Sequence, residues 1–182
     1  MTGDEAAAWL ASLFADLRLS LHDGIPTASA THGGRPVAVT VGFSSVDSGL
    51  VMDADPATAV RCEIVCSADQ PAPVLEAAVV AAARELEMLG IPAQPGVALE
   101  GLLDRVETAQ VKSVRHGYLR EPQLLERGTP TYSEPGQLTL LLELVALTDE
   151  EFQIAAEQGP FILERRMRRR GVRLGDWHRS RD

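Results

Sequence analysis

Gln137-Leu-Thr-Leu-Leu-Leu-Glu-Leu-Val-Ala-Leu-Thr-Asp-Glu-Glu151 is the stretch on which the fold turns. With a period of two, Leu138, Leu140, Leu142 and Leu144 fall on one side of a strand, and Leu141, Val145 and Leu147 on the other. Apolar residues on both faces predict a central strand, Leu138 to Leu147, covered on both sides. The run then passes into Thr148-Asp149-Glu150-Glu151, which has the form of a capping box. A helix is predicted through Gln158 and ended by Gly159-Pro160. One more helix is predicted from Phe161 to Arg170, with Gly171 as its stop. Residues 172–182, which contain Trp177, read as a C-terminal tail.

Upstream, Arg35 to Ser44 alternates as a strand, with Val37, Val39, Val41 and Phe43 on one face, until Gly42 and the following serines break it. Val60 to Ser67 is a second strand, and Cys62 and Cys66 share a face with Val60 and Ile64. Four extended residues span about 13 Å, too far for one disulfide, so the cysteines read as small buried hydrophobes. Pro71 and Pro73 open a helix that ends at Leu89-Gly90. A first helix is predicted over residues 4–18, capped by Asp4, with Trp9, Leu10, Leu13 and Leu17 as its stripe. Residues 20–34 read as irregular, with a short strand near 26–31. Residues 91–108 read as a loop with a short helical or extended piece near Leu99–Leu103. Gln110 to Leu119 reads as a strand, and residues 121–136 as a long polar loop. Helices and strands do not alternate strictly. The predicted class is α+β, with a mixed, mostly antiparallel sheet flanked by helices, in one domain over residues 1–182.

The chain carries a net charge of −9, unevenly placed. From Glu164 onward eight arginines stand against three acids, leaving −14 on the first 163 residues. Such a body repels nucleic acid and suits a basic partner. No apolar run of about 18 residues is present to span a membrane. The acidic start at Met1–Glu5 lacks the positive charge of a secretory signal, which predicts a cytoplasmic protein.

Signatures of catalysis are missing: no phosphate loop, dinucleotide fingerprint, nucleophile elbow or zinc-protease motif. No cofactor or metal site is expected. His22-Asp23 is the nearest approach to a base with an orienting acid. Glu85 and Glu87, like Asp149 to Glu151, point to different sides of a helix and read as solvated. Arg165, Arg166, Arg168, Arg169 and Arg170 form the sharpest local feature: a grip for an acidic partner, or simple compensation of a helix C-terminus. His116, Tyr118 and Tyr132 border the long polar loop and are candidate partner-binding residues, together with Arg165, Arg166 and Arg169.

Three segments together resemble the suppressor-of-fused domain family: Arg35-Pro-Val-Ala-Val-Thr-Val-Gly-Phe-Ser44, Val60-Arg-Cys-Glu-Ile-Val65 with its central glutamate, and Leu140 to Gly159 as strand, Thr-capped acidic helix and glycine. Ala146 stands near a point where a proline is more usual in that family. The resemblance implies a non-catalytic protein-binding module that clamps an extended peptide by added strand pairing. In its bacterial stand-alone form it implies an immunity-type protein neutralising a toxin, as a monomer or weak dimer. It assigns no binding residue here. Two alternatives stay open: a small hydrolase-type enzyme using His22 or His116, and a regulatory subunit docking through the Arg165–Arg170 helix.

Overall fold

The structure is a computed structural model and describes residues 1–106, 113–125 and 128–179. Helix α1 (Gly3–Leu13) is capped by Thr2 instead of Asp4. The Thr2 hydroxyl accepts the Glu5 N–H while the Glu5 carboxylate accepts the Thr2 N–H. The helix is shorter than its periodicity suggested, because the chain turns extended at Phe14, yet Leu17 still packs on the same apolar cluster.

Residues 18–32 form a hairpin where a loop with one short strand was expected. β1 (Arg18–His22) pairs with β2 (Ile25–His32) around Asp23-Gly24, whose φ values of 50° and 81° suit a two-residue turn. β3 (Arg35–Thr40) follows, and the chain then turns at Gly42, whose φ of 98° is open to glycine alone at little cost. Then come β4 (Val51–Met52) and β5 (Asp55–Ser67), which starts earlier than its apolar part indicated. Helix α2 (Ala72–Leu89) stops at Gly90 as predicted. β6 (Ala98–Leu99) and a 3-10 turn (Leu102–Arg105) occupy the next segment. β7 (Val114–Arg120) corresponds to the strand predicted over Gln110–Leu119, whose first residues lie outside the described ones. The expected polar loop contains β8 (Thr131–Glu134), which makes a hairpin with β9 (Gln137–Thr148). α3 (Asp149–Gln158) and α4 (Pro160–Arg170) complete the order.

The strands form one mixed sheet of order β1-β2-β3-β5-β9-β7-β6, with β4 against β5 and β8 against β9. Among the described residues only β5 and β9 run parallel; the other pairings are antiparallel. β9 is the central strand its sequence predicts. On one face Ile64, Leu142 and Leu144 pack with Leu75, Val79 and Leu86 of α2. On the other, Val39, Val65 and Leu141 pack with Trp9 and Leu10 of α1, while Tyr118, Val145 and Leu147 pack with Ile154, Leu163 and Met167 of α3 and α4. Cys62 and Cys66 are free and buried, and burial pushes both thiols up, away from reactive thiolate.

The segment read as a tail is built into the body. Trp177 is 2% exposed and belongs to the α2-side core. Its carbonyl accepts the Ser113 N–H, and the Gly175 carbonyl accepts the Asp69 N–H.

Gly117 in β7 is set by close packing: a Cβ there would lie 2.5 Å from Leu102 Cδ2 and 3.1 Å from Leu144 Cδ1. Gly117→Ala is therefore expected to cost about 1–3 kcal/mol by overpacking. A thermal midpoint equal to wild type would show that Leu102 can move aside.

Candidate partner-binding surface

The sheet has one long open edge. Among the described residues no strand lies outside β1, and Leu19 and Leu21 are 64% and 69% exposed on the α1 face. Both stand on the same face of the edge strand two residues apart, and apolar exposure that is contiguous marks an interaction site. The register explains how the backbone is presented. Around a two-residue turn, His22↔Ile25 is the bonded pair, so Leu21↔Pro26 and Leu19↔Ala28 are non-bonded. The N–H and C=O groups of Leu19 and Leu21 therefore point away from β2, and Pro26 has no N–H to offer them. Two leucines and their outward backbone groups make a ready template for an extended chain.

The hairpin turn that carries this edge is pinned to α2. Arg84 donates to the Asp23 carboxylate at 3.1 Å and to its carbonyl at 2.6 Å. Asp23 is thus engaged by an arginine instead of orienting His22. A cavity of about 920 Å³ opens beside them, lined by His22, Arg84, Glu85, Met88 and Arg105. Glu85, read from sequence as solvated, is buried and accepts from Arg105 at 2.7 Å. This cavity brings His22 together with Asp23 and Glu85, both held by arginines, and with Glu87, and no serine, threonine or cysteine is in its lining.

His116 does meet an acid. Its Nε2 lies 3.0 Å from Asp149 Oδ1, and its Nδ1 accepts the Gly101 N–H at 3.0 Å. The backbone donor at Nδ1 places the ring proton on Nε2, which donates to Asp149. The ring also stacks on Phe152 at 4.2 Å. Both nitrogens are committed, so neither is free to take a substrate proton. The arrangement ties β7 to the first turn of α3, where Thr148 caps the helix with Glu151.

The tyrosines expected at an interface lie under the surface. Tyr118 is 1% exposed, covered by α3 and α4, with its hydroxyl 3.4 Å from Glu164. Burial, aided by that carboxylate, pushes the phenol up to about 12. Tyr132 lies half-buried against Trp9 at 6.1 Å, under α1. His116, Tyr118 and Tyr132 share a sheet face, but different helices cover them and they form no common surface.

Arg165, Arg166 and Arg169 are exposed on α4. Arg166 donates to Gln158 at 2.9 Å, whereas Arg165 lies over the Phe161 ring at 6.0 Å. No group of three or more metal-ligating side chains occurs among the described residues, and no helix is long and apolar enough to cross a membrane.

A protein described as a homologue of SUFU (suppressor of fused), from Neisseria gonorrhoeae, superposes with a TM-score of 0.69 at 13% identity, covering 98% of this chain and 94% of that one. The structure of the Sufu–Fu complex matches with a TM-score of 0.65 at 11% identity, over 97% of this chain and 88% of that one. The chain has the suppressor-of-fused fold. No protein-family model matches the sequence, and no curated protein matches it. Within the suppressor-of-fused fold, two of the segments that carried the resemblance meet at one carboxylate. Glu63 accepts from Thr40 Oγ1 at 2.6 Å and from the N–H groups of Gly42, Phe43 and Ser44 at 2.9–3.1 Å.

Proposed function

We propose that the chain is a non-catalytic protein-binding module that takes an extended segment of its partner onto β1. The observation that carries this reading is the open edge with Leu19 and Leu21 outside it. Strand addition draws affinity from main-chain hydrogen bonds and specificity from alternate side chains, and β1 offers both. The fold supports the reading, since one structure that shares it is a complex of Sufu with a second protein. The −14 on the first 163 residues suits a basic partner, which complementary charge steers into contact. The concrete form of this function is neutralisation of a basic toxin in the cytoplasm, by a monomer or weak dimer. The enzymatic alternative draws little support from His116, whose ring nitrogens are both engaged.

Leu21→Pro tests the reading. Proline removes an outward N–H without touching the β1–β2 ladder, a position where edge strands tolerate it. Capture from the native cytoplasm should recover one stoichiometric protein with wild type. The variant, with unchanged circular dichroism, should bind that protein at least about tenfold more weakly. Recovery of nothing, or undiminished binding by Leu21→Pro, overturns the reading.

A further inference from the structure

Helix α4 buries Leu163 and Met167 and turns its opposite side to solvent. That opposite side is ordered by the helical period. Phe161, Arg165, Arg168 and Arg169 stand at i, i+4, i+7 and i+8, and so form one stripe. Phe161 is 72% exposed, and the Arg165 guanidinium lies 6.0 Å from its ring centroid. The arginines beside the stripe have partners: Arg166 reaches Gln158, and Arg170 reaches Glu150 at 3.1 Å. Arg165, Arg168 and Arg169 form no ion pair with a carboxylate among the described residues.

Compensation of the helix C-terminus does not account for this pattern. It favours cations in the last turn, where Arg168, Arg169 and Arg170 stand, but leaves Arg165 and Phe161, a turn and more upstream, without a reason. The setting sharpens the point. The remainder of the chain is strongly acidic, and yet these three guanidinium groups stay outside its ion pairs. Beside Arg168 a pocket of about 310 Å³ opens, with Met167, Val172 and Leu174 among its lining and Glu164 and Arg120 at its sides. Its place along the helix is continuous with the stripe at Arg168.

We propose that this stripe and pocket form a second docking site, for an acidic segment of another protein that carries an apolar residue. Carboxylates of the segment would lie along Arg165, Arg168 and Arg169, whose planar forks match them two oxygens at a time. Its apolar residue would enter the pocket next to Arg168, and Phe161 would cover the far end of the contact. The site lies on α4 and the segment that follows it, while the proposed strand addition is at β1, so it goes beyond the proposed function and stands or falls without it. An acidic segment is favoured over nucleic acid because the −14 elsewhere repels a long polyanion. A short segment meets only the local field, within a Debye length of about 8 Å at physiological salt.

The test uses the full chain and a fluorescein-labelled peptide of glutamates with two central leucines, followed by anisotropy. Wild type should bind, and binding should weaken as salt rises. The triple variant Arg165→Gln/Arg168→Gln/Arg169→Gln should bind at least about tenfold more weakly, as expected when several charge-assisted contacts are lost together. Arg166→Gln and Arg173→Gln, outside the stripe, should stay within about twofold of wild type. Replacing the leucines of the peptide by alanine should also weaken binding. Leu21→Pro should leave all of this unchanged, so failure here and failure at β1 are read separately. No binding by wild type, equal binding by the triple variant, indifference to the leucines, or tighter binding of a short DNA duplex or phosphatidylserine vesicles than of the peptide overturns the proposal.

Discussion

Glu63→Ala is expected to destabilise the fold by about 4 kcal/mol or more. The variant removes one acceptor shared by four donors, and each buried donor left without a partner costs about 1–3 kcal/mol. Those donors are the Thr40 hydroxyl and the N–H groups of Gly42, Phe43 and Ser44. Thr40 is itself part of the network, because its oxygen accepts the Ile64 N–H at 2.9 Å. Glu63→Gln keeps the shape but turns an NH2 group toward other donors, so it should lose much of the same stability. Adding Thr40→Val to Glu63→Ala should cost less than the sum of the two, since it deletes a donor that the alanine has already stranded. Urea unfolding measures all three, and a Glu63→Ala midpoint equal to wild type would sink the account. The pH dependence carries a sign as well. Burial raises the Glu63 carboxyl, against the pull of its hydrogen bonds. Its linkage contribution is then fully present below the ordinary glutamate range and lost as pH climbs through the raised value. The stability gap between wild type and Glu63→Ala should therefore narrow as pH rises above the ordinary glutamate range.

What the sequence disclosed follows the strength of its periodic signals. β9 was legible because seven of its residues are apolar on defined faces, and the Thr148 cap because its chemistry is local to four residues. The Glu63 cradle was half legible: both segments stood out, but 19 to 23 residues separate the glutamate from its donors, and only the sheet brings them together. The β1–β2 hairpin escaped notice because its exposed strand carries no buried stripe, so the alternation of Leu19 and Leu21 had no core-facing counterpart. β8 was hidden for a related reason, as four largely polar residues gain their strand state from β9 and not from their own preference. Trp177 reads as part of a tail because nothing in its neighbours announces burial. Arg179, two residues on, helps explain it: its guanidinium reaches the Ala146 carbonyl at 2.6 Å and the buried Glu151 at 2.5 Å, locking the terminal segment to β9 and α3. The His116–Asp149 contact was out of reach for want of any local pattern, since it joins residues 33 apart. The Arg165–Arg170 run was visible at once, whereas the division between paired and unpaired arginines belongs to the folded molecule alone.

The second large effect is expected at Glu143, where β9 carries a charge between its two apolar clusters. Leu141 faces α1 and Val145 faces α3 and α4. The carboxylate between them accepts from Arg120 Nε at 3.0 Å and Nη2 at 2.9 Å, and from the Gln123 N–H at 2.8 Å. Both side chains are almost fully buried, so each is tolerable only because of the other. Glu143→Ala should cost about 3–5 kcal/mol, because it leaves a guanidinium in an apolar setting; Arg120→Met should cost a similar amount by stranding the carboxylate. The double variant Arg120→Met/Glu143→Leu removes both charges and keeps most of the volume. It should recover most of that loss and fall within about 1.5 kcal/mol of wild type, since well-packed apolar replacements of buried ion pairs are often neutral or better. A double variant as unstable as the two singles added together would show that the pair is not the unit. A small deficit left in the double variant is expected from the Gln123 N–H, which loses its acceptor with Glu143.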